Sequence, residues 1–416
     1  MRWVVVQAGA RDAYQVPLAL EEAGLLEALV TDWYSPLDRP WFRALAHLLP
    51  AGARARLERR FRGGLPSRRV EVSLGELALN ALAGGRSGAR DFRLGARAGR
   101  LARSRGAGVF SFSYYAYAAF TAAAEGLPRA IHQVHPHPAS VRRLLREEME
   151  RVPDCVGSVA AEEEIRGDET RFRQLCAEPG LADVCLAASS FTAATLVENG
   201  VPAERVRVVP YGVDLDFFRP PPALPGGPLR VLFVGQMTQR KGLRYLLEAW
   251  RRLALPDAEL VLAGRGPADR ELLARYDGLF RAETAVSAGR LRELYRTSHV
   301  FCMPSLAEGF GLVYLEALAC GTPVIGTPNT GAADLLRDGR GGFLVPIRDA
   351  EALAERLLWC HGHRAELAEM RLEARRTAER HSWAAFRRGV LAALPDGGPA
   401  RPRPGALPVL SRPPAA

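Results

Sequence analysis

Lysine is almost missing from this chain of 416 residues: of 56 basic side chains, only Lys241 is a lysine and the rest are arginine. Other scarcities exclude whole classes of function. No run of about 18 apolar residues is present, so no segment reads as a membrane-spanning helix. The six cysteines, at 155, 176, 185, 302, 320 and 360, show no paired metal spacing and read as reduced thiols. The opening Met1-Arg-Trp-Val-Val-Val-Gln7 is too short for a signal peptide and reads as a first strand, which sets a cytoplasmic expectation. No metal-ligand cluster is visible. No nucleic-acid recognition module is visible either, and the aromatics are not interleaved as stacking platforms, so no nucleic-acid partner is expected.

What is present is an ordinary globular composition, 48% apolar and 25% charged, on a chain long enough for two cores. The net charge of +10 is unevenly placed. Residues 39–105 hold 16 arginines against Glu58, Glu71, Glu76 and Asp91, a net of +12, which leaves the remainder near −2. Arg54, Arg56, Arg59, Arg60 and Arg62 lie close in sequence to Trp41, Phe42, Leu45, Leu48, Leu49 and Phe61. Such a segment suits an anionic membrane surface at the inner face, with a solvated helix face as the alternative.

Short apolar runs alternate with helical patterns along the whole chain, which predicts parallel α/β architecture. Strands are expected at 3–7, 28–31, 108–111, 130–134, 184–187 and 206–209, with helices at 16–23 and 191–199. The proline-rich stretch from Pro210 to Pro222 interrupts regular structure. The pattern then restarts, with strands at 229–234, 259–263, 299–303, 324–326 and 342–345. The expected organisation is an N-terminal Rossmann-like domain over 1–218, a second over 219–394, and a disordered Pro-rich tail over 395–416. The two domains are expected to face a cleft, with a helix near 381–394 packing back on the first.

The lone lysine sits in Gly235-Gln-Met-Thr-Gln-Arg-Lys241-Gly242, between an expected strand and an expected helix. Strand, glycine loop and helix N-terminus together make an anion site, and a compact ammonium meets phosphate there as a point charge. The densest signal is Pro304-Ser-Leu-Ala-Glu308-Gly-Phe-Gly-Leu-Val-Tyr-Leu-Glu316. Gly309 and Gly311 flank Phe310 just before an apolar helix, so their amides can approach an anion closely. Glu308 would lie in the loop above that helix and Glu316 about one turn inside it. Two carboxylates can then meet one ligand at different depths.

These motifs resemble the retaining glycosyltransferases of the GT-B fold, family 4 (glycosyl transferases group 1). The resemblance is strong over about 181–390 and also rests on Ala188-Ser-Ser-Phe191, Val208-Val-Pro-Tyr-Gly-Val-Asp214, Leu262-Ala-Gly264 and Gly321-Thr-Pro-Val-Ile325. It implies a nucleoside-diphosphate sugar as co-substrate, with no further cofactor required. By resemblance, Lys241 contacts the diphosphate, Glu316 the ribose hydroxyls and Glu308 the donor sugar, with the backbone of Gly309, Phe310 and Gly311 near phosphate and sugar. Gln236 stands where the family usually has an arginine, and Arg240 is the residue available to replace that charge. Gly9 matches a glycine turn against the donor phosphates. His135 is the best match to the cleft histidine, with His132 and His137 as alternatives.

The implied reaction is transfer of the sugar, with retention, to an acceptor hydroxyl, in surface polysaccharide or glycolipid assembly. A lipid-linked saccharide is slightly favoured as acceptor because of the basic segment. Two rivals stand beside this reading: another GT-B nucleotide-sugar enzyme such as an epimerase or synthase, and a catalytically degenerate membrane-associated scaffold.

Overall fold

The computed structural model describes residues 1–72, 87–223, 226–264, 266, 268–336 and 340–395. The tail from 396 onward and part of the basic segment, 73–86, lie outside the described residues. Two parallel sheets organise the rest. The first has seven strands in the order β3-β2-β1-β4-β5-β6-β7. In chain order these are β1 (Trp3–Val6), β2 (Leu26–Thr31), β3 (Val70–Val72), β4 (Gly108–Phe112), β5 (Arg129–Gln133), β6 (Val184–Ala187) and β7 (Val206–Val208). The second has six, in the order β10-β9-β8-β11-β12-β13. They are β8 (Leu229–Val234), β9 (Ala258–Gly264), β10 (Arg281–Thr284), β11 (Val300–Cys302), β12 (Val324–Gly326) and β13 (Gly342–Leu344).

The reason for parallel pairing is visible in the residues. A run such as Trp-Val-Val-Val in β1 is buried along its whole length, as a strand covered on both faces must be. The crossovers that carry the chain between parallel strands are mostly helices, as the alternation in the sequence predicts. Short β3 and β10, at the sheet edges, carry no clear apolar pattern and were not expected. In each sheet the winding reverses beside one strand: β1 lies between β2 and β4, and β8 between β9 and β11. Open α/β sheets take ligands at the carboxyl ends of strands where the winding reverses. The loops that leave β1 and β8 there are the Gly9 loop and the Gly235–Gly242 loop.

The last helix, Trp383–Ala393, returns to the first sheet. Arg387 donates to Gln15 at 2.7 Å and to Glu22 at 2.9 Å, on the helix Gln15–Glu22. Phe386 stacks on Tyr211 with centroids 5.5 Å apart. The two halves are therefore joined by packing as well as by the 210–222 link.

Candidate functional site

The chain enters the Lys241 turn from β8 and leaves it into the helix Leu243–Leu253. Gly242 makes this turn possible. Its φ is +70°, and a Cβ there would lie 1.9 Å from the carbonyl oxygen of Pro304, so no side chain fits. That close approach brings the turn against the loop carrying Glu308. Lys241 is buried and ion-paired with the Glu308 carboxylate. Arg240 donates to Glu162 at 3.0 Å and to the Ala307 carbonyl at 3.3 Å, and its guanidinium lies 3.9 Å from Glu308. Burial, and after it the neighbouring Arg240, hold the Lys241 ammonium well below its ordinary pKa, while Glu162 pulls the other way. Two cations and Glu308 thus share one half-enclosed spot. The Gln236 side chain lies against Gly266, its Nε2 3.5 Å from where a Cβ there would stand.

Glu308 and Glu316 take the positions their spacing implies. Glu308 lies in the loop, its amide donating to the Asn329 carbonyl at 3.0 Å. Glu316 lies inside the helix Leu312–Ala319, whose Tyr314, Leu315, Ala317 and Leu318 are buried. Half-buried among them, Glu316 accepts a 2.9 Å hydrogen bond from the Tyr295 hydroxyl. Burial pushes its carboxyl up to about 7, against the opposing pull of that hydrogen bond. Tyr295 was not expected from the sequence, since 21 residues separate the partners. The Phe310 ring is buried and meets Tyr211 edge-on at 5.6 Å, so only its backbone is available to a ligand.

The first domain supplies the opposite wall. Gly309 packs so closely on it that a Cβ would lie 1.8 Å from the Val134 carbonyl oxygen. The Gly309 carbonyl accepts from Ser189 at 2.6 Å and Thr192 at 2.9 Å, at the start of the helix Ser190–Glu198. Gly9, with φ of +72°, donates its amide to Asp32 at 2.7 Å, and Arg60 grips the same carboxylate at 3.1 Å. Beyond Gly9, Asp12, Ala13 and Tyr14 all adopt left-handed backbone, with φ of 51°, 47° and 60°. Left-handed backbone costs a residue with a Cβ about 1–2 kcal/mol, and such strain gathers at functional loops. Of the arginines near the exposed aromatics, Arg60 is therefore committed to the Gly9 loop rather than to a surface.

The three histidines separate cleanly. His132, in β5, is buried between Phe112, Tyr211 and Phe386, a core position. His137 accepts from the Ala139 amide at 3.2 Å and caps the helix Pro138–Arg151. His135 alone remains partly exposed, edge-on to Tyr114 at 5.4 Å. Burial, then the charges of Arg11, Arg240 and Lys241, hold its imidazole down to about 3. It is neutral at working pH and can donate or accept one hydrogen bond without carrying charge. Arg11 is a further site residue that no spacing signalled. Among the described residues no group of three or more His, Cys, Asp or Glu could hold a metal.

Known proteins resemble this chain in sequence over its second half and in fold over most of its length. Residues 228–362 match the family described as Glycosyl transferases group 1. The chain is 36% identical over 159 residues to the phosphatidyl-myo-inositol mannosyltransferase of Mycolicibacterium smegmatis, covering 36% of this chain and 41% of that one. It is 33% identical over 258 residues to the D-inositol 3-phosphate glycosyltransferase of Xylanimonas cellulosilytica, covering 56% of this chain and 58% of that one. The chain thus spans about half the length of the curated relatives it matches. HepE of Anabaena, solved in complex with UDP-glucose, superposes with a TM-score of 0.61 at 17% identity, over 94% of this chain and 98% of that one. The match over residues 228–362 and the two parallel sheets wound about β1 and β8 identify a chain that carries a glycosyl transferases group 1 domain on the GT-B fold.

Proposed function

We propose that this protein is a retaining glycosyltransferase that moves a sugar from a nucleoside diphosphate to an acceptor hydroxyl. The observation that carries the reading is the buried contact of Lys241 with Glu308, with Arg240 beside it, at the carboxyl end of β8. In transfer, the bond from the anomeric carbon to the diphosphate breaks and a bond to the acceptor oxygen forms. Negative charge accumulates on the departing diphosphate, and an oxygen of that leaving group takes up the acceptor proton. Lys241, Arg240 and the loop amides stabilise that charge, and preorganised dipoles and cations of this kind usually contribute more to catalysis than any other single effect. Glu308 exchanges its contact with Lys241 for the sugar hydroxyls, His135 faces the sugar from the other wall, and Gly9 lets the backbone approach the phosphates. The likeness to an enzyme solved with UDP-glucose supports a nucleotide-sugar donor. A thermal-shift series with UDP-, GDP-, ADP- and TDP-sugars tests the reading: a shift with one nucleotide class, lost in Lys241→Ala, supports it. No shift with any donor overturns it.

Glu316 reads the ribose in this scheme, and its raised pKa gives that role a signature. The folded protein holds a proton that the unfolded chain releases near 4.5, so fold stability declines as pH rises from there through about 7. Ribose hydroxyls donate to the ionised form, which makes the carboxylate the binding form. The affinity gap between wild type and Glu316→Gln for a nucleoside diphosphate should therefore widen between about pH 6 and pH 8 in calorimetry. A constant gap would remove Glu316 from the ribose.

The acceptor is proposed to be a lipid-linked saccharide, taken at an anionic membrane surface. The helices Pro40–His47 and Ala51–Glu58 form a hairpin on which Trp41, Leu45 and Leu48 are 58%, 56% and 81% exposed, and Arg43, Arg56 and Arg59 of the same segment are exposed as well. A relative named for phosphatidyl-myo-inositol supports a lipid acceptor. Among the described residues no helix is long and apolar enough to cross a membrane. Replacing Trp41, Leu45 and Leu48 by serine should abolish flotation with vesicles that contain anionic lipid. Unchanged flotation would leave the hairpin as a solvated face.

A further inference from the structure

Outside the cleft, one carboxylate is held in a way that catalysis by the residues above does not use. Glu148, on the first-domain helix Pro138–Arg151, is fully buried. Its carboxylate takes its hydrogen bonds from the second domain. The Gln239 side-chain amide donates to it at 2.5 Å, the Tyr245 hydroxyl at 2.9 Å and Arg348 at 2.8 Å. Arg348 in turn donates to the Leu144 carbonyl at 2.7 Å and to Glu147 at 3.1 Å, and it adopts a left-handed backbone with φ of 65°. A buried charge is tolerated only when paired and fully hydrogen-bonded, and this one meets both conditions across a domain boundary.

The partners are not arbitrary points on the second domain. Gln239 lies two residues before Lys241, in the same single helical turn. Its side-chain oxygen accepts from the Arg244 amide at 3.2 Å, at the start of the helix that follows, and its own backbone amide donates to Ser158 at 3.3 Å. Arg240 reaches Glu162, and Arg244 reaches Asp154 at 3.1 Å. A small apolar cluster of Val141, Leu145, Val159 and Ala307 closes the same seam. Every residue from 239 to 241 is thus tied, directly or through its neighbour, to the first-domain segment 148–162.

We propose that Glu148 is a positioning residue that sets the 239–242 turn, and with it Lys241, in the donor-binding arrangement by bridging the two domains. This inference rests on the donor-site reading above. It makes donor affinity depend on a residue of the acceptor-side domain that touches no donor atom. Removing the carboxylate takes one partner from each of Gln239, Tyr245 and Arg348 at once, so the turn loses its register while the sheet beneath it remains.

The test is calorimetric binding of UDP and GDP to the full chain, with donor KM and kcat measured where transfer is observed. Glu148→Ala should weaken binding of the nucleotide that wild type prefers by about tenfold or more, a change of about 1.4 kcal/mol. Glu148→Gln keeps an acceptor for Gln239 or Tyr245 and should recover part of the loss. Tyr245→Phe removes one donor only and is expected to fold if Glu148→Ala does not. Its donor KM should rise with kcat at saturation nearly kept. A lower melting midpoint with nucleotide affinity equal to wild type, in Glu148→Gln and Tyr245→Phe alike, would reduce Glu148 to a structural role and overturn the proposal. Wild type binding neither UDP nor GDP, and showing no shift with ADP- or TDP-sugars either, would instead refute the donor-site reading itself.

Discussion

Lys241→Ala is expected to lower transfer at saturating donor by about 10²–10³, the usual cost of deleting one electrostatic contact to a developing anion. The size follows from where the ammonium sits. It is buried, so its field on the diphosphate is screened less than that of a surface charge. No second lysine exists in the sequence to take over, and Arg240 is already shared between Glu162 and Glu308. Lys241→Arg should recover only part of the rate, because a planar fork does not fit where a point charge sits in a turn pressed against the Pro304 carbonyl. The loss should appear in kcat as well as in the donor KM, because Lys241 meets the diphosphate both while it is bound and as it departs. A variant with kcat unchanged and only KM raised would make Lys241 a ground-state binder and move the leaving-group role elsewhere.

Gly309→Ala should have the second-largest effect, through the meeting of the two domains rather than the donor. A methyl group at this position would be driven into the Val134 carbonyl oxygen, at 1.8 Å. Overpacking of this kind costs about 1–3 kcal/mol. Here the strain can be relieved by opening the cleft, so the cost falls on the closed state. A shift of that size lowers the closed population by roughly 5–150-fold, and kcat/KM should fall in proportion while the melting midpoint moves little. Gly52→Ala is the matched control, since nothing lies within 4 Å of the added Cβ. Full activity in Gly309→Ala would show that the working enzyme does not bring Gly309 onto Val134.

The parallel sheets, the two glycine loops and the Glu308–Glu316 pair were readable because each is written locally. A buried strand must be apolar along its length, a tight turn against another chain segment needs glycine, and an acidic residue inside an apolar helix declares itself by contrast. The histidines were not separable by the same logic. His132, His135 and His137 lie within six residues in a Pro-punctuated stretch, and only packing by Phe112, Tyr211 and Phe386 removes His132 from the cleft. The bonds to Glu148 span 91, 97 and 200 residues, and no pattern in the sequence records them. The left-handed run at Asp12–Tyr14 was equally silent, because none of its residues is glycine or asparagine. The charge of the basic segment is only partly free at the surface, since Arg60, Arg97 and Arg105 spend theirs on Asp32, Glu27 and Glu71.

The isolation of Lys241 has a practical side. Apart from the amino group of Met1, its ε-amine is the only primary amine in the sequence, and it is placed where the two lobes meet. Amine-selective chemistry therefore addresses a single internal atom. That atom is shielded while the lobes are together, so its rate of acylation measures how often the lobes part. The chain carries its own chemical clock for the opening of the cleft, without any engineered label.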